Sequence, residues 1–508
     1  MNALQAMKMQ LNVARTENGD LAYKSTGSAC LDFFSLCGGM RRNLENLNKL
    51  FAKAYAENPV VAIKILFYMR NIRGGLGERN SFRVLLKELA QFYPEMAKQI
   101  VYAVPKYGRW DDLLVLLDTA VKDDTIALIK SQIEKDKKAM EKGGEVSLLG
   151  KWLPSINTSS KESFARAKIV MTSLGLRAVE YRKLCSALRK EIKILEDNLR
   201  RKDYTFDYSK QPSQAMLRYK KAFMRNDEER YKSFLNKVVE QAEKLARGEE
   251  IPEEERVKLN TKTLYPYQIV GPFMKYGINQ MDEGHMLSLE ASWKALDRGN
   301  FDSKTIVVRD GSGSMYRGDG ESAPISIATS LALFFAEQLT GPYKNSFITF
   351  SENPQLIQIP ENCDTLKKKL NYIHKFDEVA NTDIGKVYRL ILDVAKGGNV
   401  PKEEMIERVL IISDMEFDYC AEGVSTFEFY KKEFEAAGYE LPEIVFWNVE
   451  ARDTHLPVTM NEKGVKLVSG ASANIFADVV SGDLKVVTPY EFMLQILEPY
   501  AEFDNLVA

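Results

Sequence analysis

Apolar positions along this chain follow two rhythms, and the change falls near residue 302. Before it, apolar residues recur at helical spacing, as in Ile63, Leu66 and Phe67 and again in Leu85, Leu86 and Leu89. Gly74, Gly75 and Gly77 interrupt this pattern, and Pro94 and Pro105 punctuate it further on. Helix after helix is therefore expected from residue 28 to about 300, arranged as an α-solenoid of stacked pairs. The polar, acidic run Glu243 to Asn260 reads as an exposed excursion between helices. Beyond 302, short apolar runs ("TIVVR", "NSFITFS", "RVLIISD", "EIVFWNV") alternate with helical segments ("ISIATSLALFFAEQL", "TDIGKVYRLILDVAK", "FEFYKKEFEAAG"). That alternation predicts a mostly parallel sheet covered by helices. The expected division is an N-terminal segment 1–27, a helical domain 28–301 and an α/β domain 302–508.

Chemistry gathers where the strands should end. In open α/β sheets, ligands bind beyond the carboxyl ends of the strands. Asp310, Ser312 and Ser314 follow the run Ile306–Val308. Residues two apart on an extended segment point the same way, so the Asp-x-Ser-x-Ser spacing aims three side chains together. Thr382 and Asp383 precede a helix, and Ser413 and Asp414 close another apolar run. These hydroxyls and carboxylates suit a hard divalent cation, Mg²⁺, Ca²⁺ or Mn²⁺. The bland alternative is that Asp310 and Asp414 cap loops and that "TD" is an ordinary helix cap. Arg309 would weaken cation binding if its side chain turned inward. Glu416 and Asp418 either add negative charge to the site or, more blandly, are solvated loop acids, the favoured reading.

Composition narrows the function classes. The chain has 508 residues and a formal net charge of −1, so any nucleic-acid surface must be a local patch. Its five cysteines form no CxxC pair and its three histidines no metal-ligand spacing. Reduced thiols and a cytoplasmic location are expected. The first residues have no signal-peptide core, and no uncharged run reaches the roughly eighteen residues of a membrane span. No GxSxG, Cys/His or phosphate-loop signature is present, so no catalysis is expected.

Two resemblances sharpen this reading. Asp310-x-Ser312-x-Ser314, with a later threonine and a strand-end aspartate, resembles the metal-ion-dependent adhesion site of von Willebrand factor A domains. That resemblance implies a Rossmann-like A domain in which Asp310, Ser312, Ser314, Thr382 and Asp414 hold a divalent cation, Mg²⁺ foremost, and offer it to a partner's carboxylate. The helical part resembles the Ro autoantigen family and a Ro-related family of bacteria, viruses and some eukaryotes. The shared stretches include "FYMRNIRGGLGERNSFRVLLKELA", "VPKYGRWDDLLVLL", "GKWLPSINTSS", "QPSQAMLRYKKAFMRND", "DGSGSM" and "SDMEFD". Ro membership implies a mainly α, HEAT-like (TROVE) ring before the A domain, and binding of small structured RNA or single-stranded RNA ends.

Charge in the helical part fits that implication. Lys151 to Arg225 holds 18 Lys/Arg against 7 Asp/Glu, a net charge of +11, with Trp152, Phe164, Tyr181, Tyr204, Tyr208, Tyr219 and Phe223 interleaved. Basic residues neutralise phosphates and aromatic faces stack on unpaired bases. The RNA candidates are Lys151, Arg166, Lys168, Arg177, Arg182, Arg189 and Lys220. The competing reading is a solvated face with core aromatics and helical acid partners. "RNIRGGLGER" is either an anion nest or the turn between two helices. In "KYGRWDD", Asp111 is expected to cap a helix and Trp110 to pack. The alternatives to an RNA scaffold are a metal-dependent protein-docking module without RNA and a viral structural component.

Overall fold

Beyond residue 302 the alternating pattern becomes a six-stranded sheet. The computed structural model describes residues 10–299, 301, 304–318, 320–351, 353–377, 383–417, 426–480 and 487–507. Eight strands are found in the described residues: β1 (Val13–Arg15), β2 (Leu21–Tyr23), β3 (Thr305–Asp310), β4 (Ser346–Phe350), β5 (Leu356–Gln358), β6 (Arg408–Ser413), β7 (Glu443–Asn448) and β8 (Val465–Ser469). The large sheet runs β5-β4-β3-β6-β7-β8. All its pairings are parallel except that of the edge strand β5 with β4. Counted from β3 as first, this is the order of doubly wound sheets, in which the chain reverses direction of growth between the first strand and the fourth. That switch point lies between β3 and β6.

Every residue of β3 and β6 is buried, as strands covered on both faces require. Helix Pro324–Ala336, buried along its whole length, packs against both. Its Phe335 packs on Trp447 of β7 at 5.0 Å and stacks on Phe476 at 3.9 Å between ring centroids. Residues 29–298 are predominantly helical, as the apolar spacing predicts.

The N-terminal segment holds a feature the sequence reading does not anticipate. β1 and β2 pair antiparallel, and the Tyr23 backbone exchanges hydrogen bonds with Leu456, N–H to O at 2.9 and 2.8 Å. Helix Ala29–Leu36 then packs against β8. Gly38 explains how closely: a Cβ there would lie 2.8 Å from the backbone of Ser469 and Gly470. No side chain is accommodated at that distance.

By contact density the chain divides into two compact units. One comprises Met1–Ile65, Arg73–Leu76 and Tyr208–Ala501; the other comprises Leu66–Ile72, Gly77–Asp207 and Glu502–Ala508. The second unit is organised around one buried carboxylate. Asp112 is fully buried. Its Oδ2 accepts from Arg70 Nε at 2.8 Å and from the Arg109 amide at 2.9 Å, while Oδ1 accepts from Arg83 Nε at 2.6 Å. Asp112, not Asp111, is therefore the cap; Asp111 pairs with Arg109 at 2.8 Å. The glycine-rich stretch is the turn between helices Pro59–Arg70 and Arg79–Phe92.

Arg70→Met leaves Asp112 with one arginine in a dry site. A loss of about 3–5 kcal/mol is expected in urea denaturation, as for a broken buried pair. Removing the exposed Glu45–Lys49 pair, 2.6 Å apart, should shift the same curve by no more than about 0.5 kcal/mol.

Candidate metal site at the sheet switch point

Parallel pairing in register brings Asp310, the last residue of β3, beside the end of β6. Its carboxylate is fully buried and has two partners: Oδ2 accepts from Ser413 Oγ at 2.5 Å, and Oδ1 from the Ser312 amide at 2.8 Å. The Ser312 and Ser314 hydroxyls lie 3.1 Å apart, and Ser314 hydrogen-bonds to Asp414. Asp310, Ser312, Ser314 and Asp414 thus converge on one point of the rim. Thr382, the remaining predicted ligand, lies outside the described residues; Asp383 beside it accepts from the Lys386 amide at 3.2 Å as a helix cap.

Burial and the neighbouring Asp414 charge push Asp310 up to about 7. Burial also raises Asp414, although Arg452 and Ser314 oppose it. Two carboxylates kept from water in this way favour either a shared proton or a cation between them. The donors present are carboxylates and hydroxyls, all hard oxygens, so the set fits a divalent ion of the Mg²⁺ type.

Arg309, flagged as a rival cation, turns elsewhere. Its Nη2 meets Asp377 Oδ1 at 2.5 Å and its Nε donates to Thr329 at 2.9 Å. Successive strand residues face opposite sides, so Asp310 and Arg309 occupy different environments. A different cation reaches the rim: Arg452 Nη2 lies 3.0 Å from Asp414 Oδ2, and its Nη1 lies 2.5 Å from Glu17. Glu416 is buried, which corrects the expectation of a solvated acid; Asp418 lies outside the described residues. Glu416 accepts from the Glu17 amide at 2.8 Å and lies 3.4 Å from His455 Nε2. Burial works against its charge, but His455, the Glu17 amide and Arg452 hold its carboxyl below the ordinary value. Thr16 Oγ1 donates to the Phe417 carbonyl at 2.5 Å, and Asn18 to that of Glu416 at 2.7 Å. The β1–β2 turn is thus part of the rim. Sequence reasoning missed Arg452 although a signal existed: it follows β7, a parallel strand whose carboxyl end lies on the same edge.

The basic residues proposed for RNA fall in both compact units, six in the second and Lys220 in the first. Several have protein partners. Arg189 donates to the Gly150 and Leu153 carbonyls at 3.0 and 2.7 Å, tying two helices together. Arg166 pairs with Glu162 at 2.7 Å, Arg177 with Glu180 at 2.6 Å, and Lys151 with Glu196 at 3.6 Å. Lys168 and Arg182 are exposed and have no ion-pair partner among the described residues. Of the interleaved aromatics, Tyr181, Tyr208 and Phe223 are buried, whereas Phe164 is exposed.

Comparison with known proteins gives three findings. A family model described as "Domain of unknown function (DUF2828)" matches residues 16–133 and 174–298, and one described as "Domain of unknown function (DUF7788)" matches residues 304–486. The "Uncharacterized protein L728" of Acanthamoeba polyphaga mimivirus is 30% identical over 527 aligned residues, covering 96% of this chain and 88% of that one. The Ro (RSR) protein of Deinococcus radiodurans aligns with a TM-score of 0.45 at 14% identity, over 88% of this chain and 93% of its own.

The raised Asp310 predicts a pH dependence whose sign is fixed by linkage. A folded-state value above the unfolded 3.8 means that the folded chain binds this proton more tightly. The contribution of Asp310 to stability in EDTA should be greatest below about pH 4 and fall as pH rises towards 7, by up to about 1.4 kcal/mol per pH unit. Asp310→Asn should flatten that slope in denaturation curves measured across the range.

Proposed function

We propose that this chain, which belongs to the same family as the mimivirus protein L728, is a non-enzymatic scaffold of Ro type. Its α/β part is an A-type domain. The rim at the switch point binds Mg²⁺ or a similar divalent ion and offers it to a partner's carboxylate. The helical residues, as a HEAT-like array, bind RNA. One observation carries the reading: Asp310, Ser312, Ser314 and Asp414, contributed by the end of β3 and the loops after β3 and β6, converge at the end of a doubly wound sheet.

What the chain supplies there is positioning. Ser413 and the Ser312 amide fix the Asp310 carboxylate, leaving the Ser312 and Ser314 hydroxyls and Asp414 as the groups that would hold the ion. A bound divalent ion supplies positive charge for an incoming carboxylate oxygen. Arg452 would have to release Asp414, or share it, when the ion binds. RNA binding has separate support in Lys168 and Arg182, which are exposed on helices Lys161–Ser173 and Ala178–Ile192 and have no ion-pair partner among the described residues. Exposed Phe164, on the first of these helices, offers a stacking face.

Mg²⁺ at a hundredfold over its Kd should stabilise the folded chain by about 2.7 kcal/mol above neutrality, read as a rise in melting temperature. A Ser312→Ala, Ser314→Ala variant that keeps the rise would defeat the metal reading. RNA crosslinked to the native protein should map to residues 161–192, and its affinity should fall with salt at a log–log slope of about −0.7 per phosphate contacted. Charge reversal of Lys168 and Arg182 should flatten that slope. Absence of RNA binding at low salt leaves the docking function without RNA.

A further inference from the structure

A second cluster, outside the rim, has the features of a binding site. Helix Ser213–Asn226 contributes Lys220, Lys221 and Arg225, and helix Glu283–Lys294 contributes His285, to the wall of a cavity of about 410 Å³. That volume is in the range of small-ligand sites. Lys221 and Arg225 are one helical turn apart and so lie on the same face. Gly284 brings the two helices together here: a Cβ at that position would lie 3.0 Å from Met224 Sδ.

The charges around this cavity do not balance. Lys232 is paired with Glu228 at 2.6 Å, and Asp282 caps the helix by accepting from the His285 amide at 2.8 Å. Lys221 and Arg225 have no ion-pair partner among the described residues. The Lys220 ammonium donates to the Leu217 carbonyl at 3.2 Å and has Glu321 as its acidic neighbour. His285 is the telling residue. It is only 8% exposed, it lines the cavity, and its Nε2 has no hydrogen-bond partner among the described residues. Buried polar atoms in native proteins nearly always have one. Burial, with Lys220 and Lys221 nearby, pushes His285 down to about 4, so its imidazole is neutral. Burial likewise lowers Lys220 to about 8.

We propose that this cavity binds a phosphate group, with Lys220, Lys221 and Arg225 as its cations and His285 Nε2 as a buried hydrogen-bond donor. A phosphate monoester carries nearly two negative charges and three acceptor oxygens, which matches several cations and donors better than one carboxylate does. The phosphate is either a free anion or the end of a nucleic acid. The site does not depend on the RNA reading.

The test uses the full chain labelled with ¹⁵N-histidine. Its three histidines give few resonances, and His374→Gln and His455→Gln assign them by elimination. Inorganic phosphate should shift the His285 resonance saturably and leave the other two unmoved. Lys221→Gln with Arg225→Gln, both exposed, should weaken binding about tenfold, or ~1.4 kcal/mol. No saturable shift up to about 10 mM phosphate, ten times a millimolar Kd, overturns the proposal, as does unchanged affinity in the double variant. Competition by a 5′-phosphorylated oligoribonucleotide but not its 5′-hydroxyl counterpart identifies a nucleic-acid end as the ligand. Equal failure of both, with phosphate bound, identifies a free anion. Phosphate binding in a protein that binds no RNA would refute the RNA reading and leave this site standing.

Discussion

The parallel pairing of β3 with β6 sets two carboxylates, Asp310 and Asp414, side by side where water is scarce. Like charges in such a place cannot both stay ionised without compensation. The surrounding arrangement can be understood as that compensation. Ser413 and the Ser312 amide serve Asp310, whereas Arg452 and Ser314 serve Asp414. Glu17 and Glu416 in turn flank Arg452. Arg309 is kept out by its own buried partner, Asp377. The charge pattern at this rim therefore has one origin, the register of the two central strands.

Much of this was legible in the chain itself. The four central strands were readable because strands buried on both faces are unbroken apolar runs, and β3, β4, β6 and β7 are of that kind. β5 and β8 were not. β5 has three residues and exposes two of them, and β8 carries a lysine, Lys466, whose ammonium is held by Glu443 at 3.0 Å. The Asp-x-Ser-x-Ser spacing identified three of the convergent groups. Glu17 and the burial of Glu416 were invisible because they depend on which loops meet in space, whereas Arg452 was signalled only by its place after β7. Asp111 and Asp112 show the same limit at short range: adjacent acids look alike in sequence, and only the positions of Arg70 and Arg83 distinguish them.

The basic stretch shows what a charge count cannot resolve. A net charge of +11 over residues 151–225 is the same whether its guanidiniums are free or engaged. Arg189 ties helices together through carbonyls, and Arg166 and Arg177 have acidic neighbours a turn away. Conversely, His285 carries no charge and no recognisable motif. It acquires meaning only from an unpartnered nitrogen facing a group of cations. Local sequence reports inventory; function depends on what remains unsatisfied after folding.

The β1–β2 turn has a consequence for how the chain matures. Thr16 bonds to Phe417, 401 residues away, and Tyr23 pairs with Leu456. During synthesis the turn must wait for partners made about 400 residues after it. Contacts of such long range form late and slowly. Until they form, Arg452 lacks Glu17 and the rim is unfinished, so a nascent chain cannot complete this edge before the segment around Arg452 has been made.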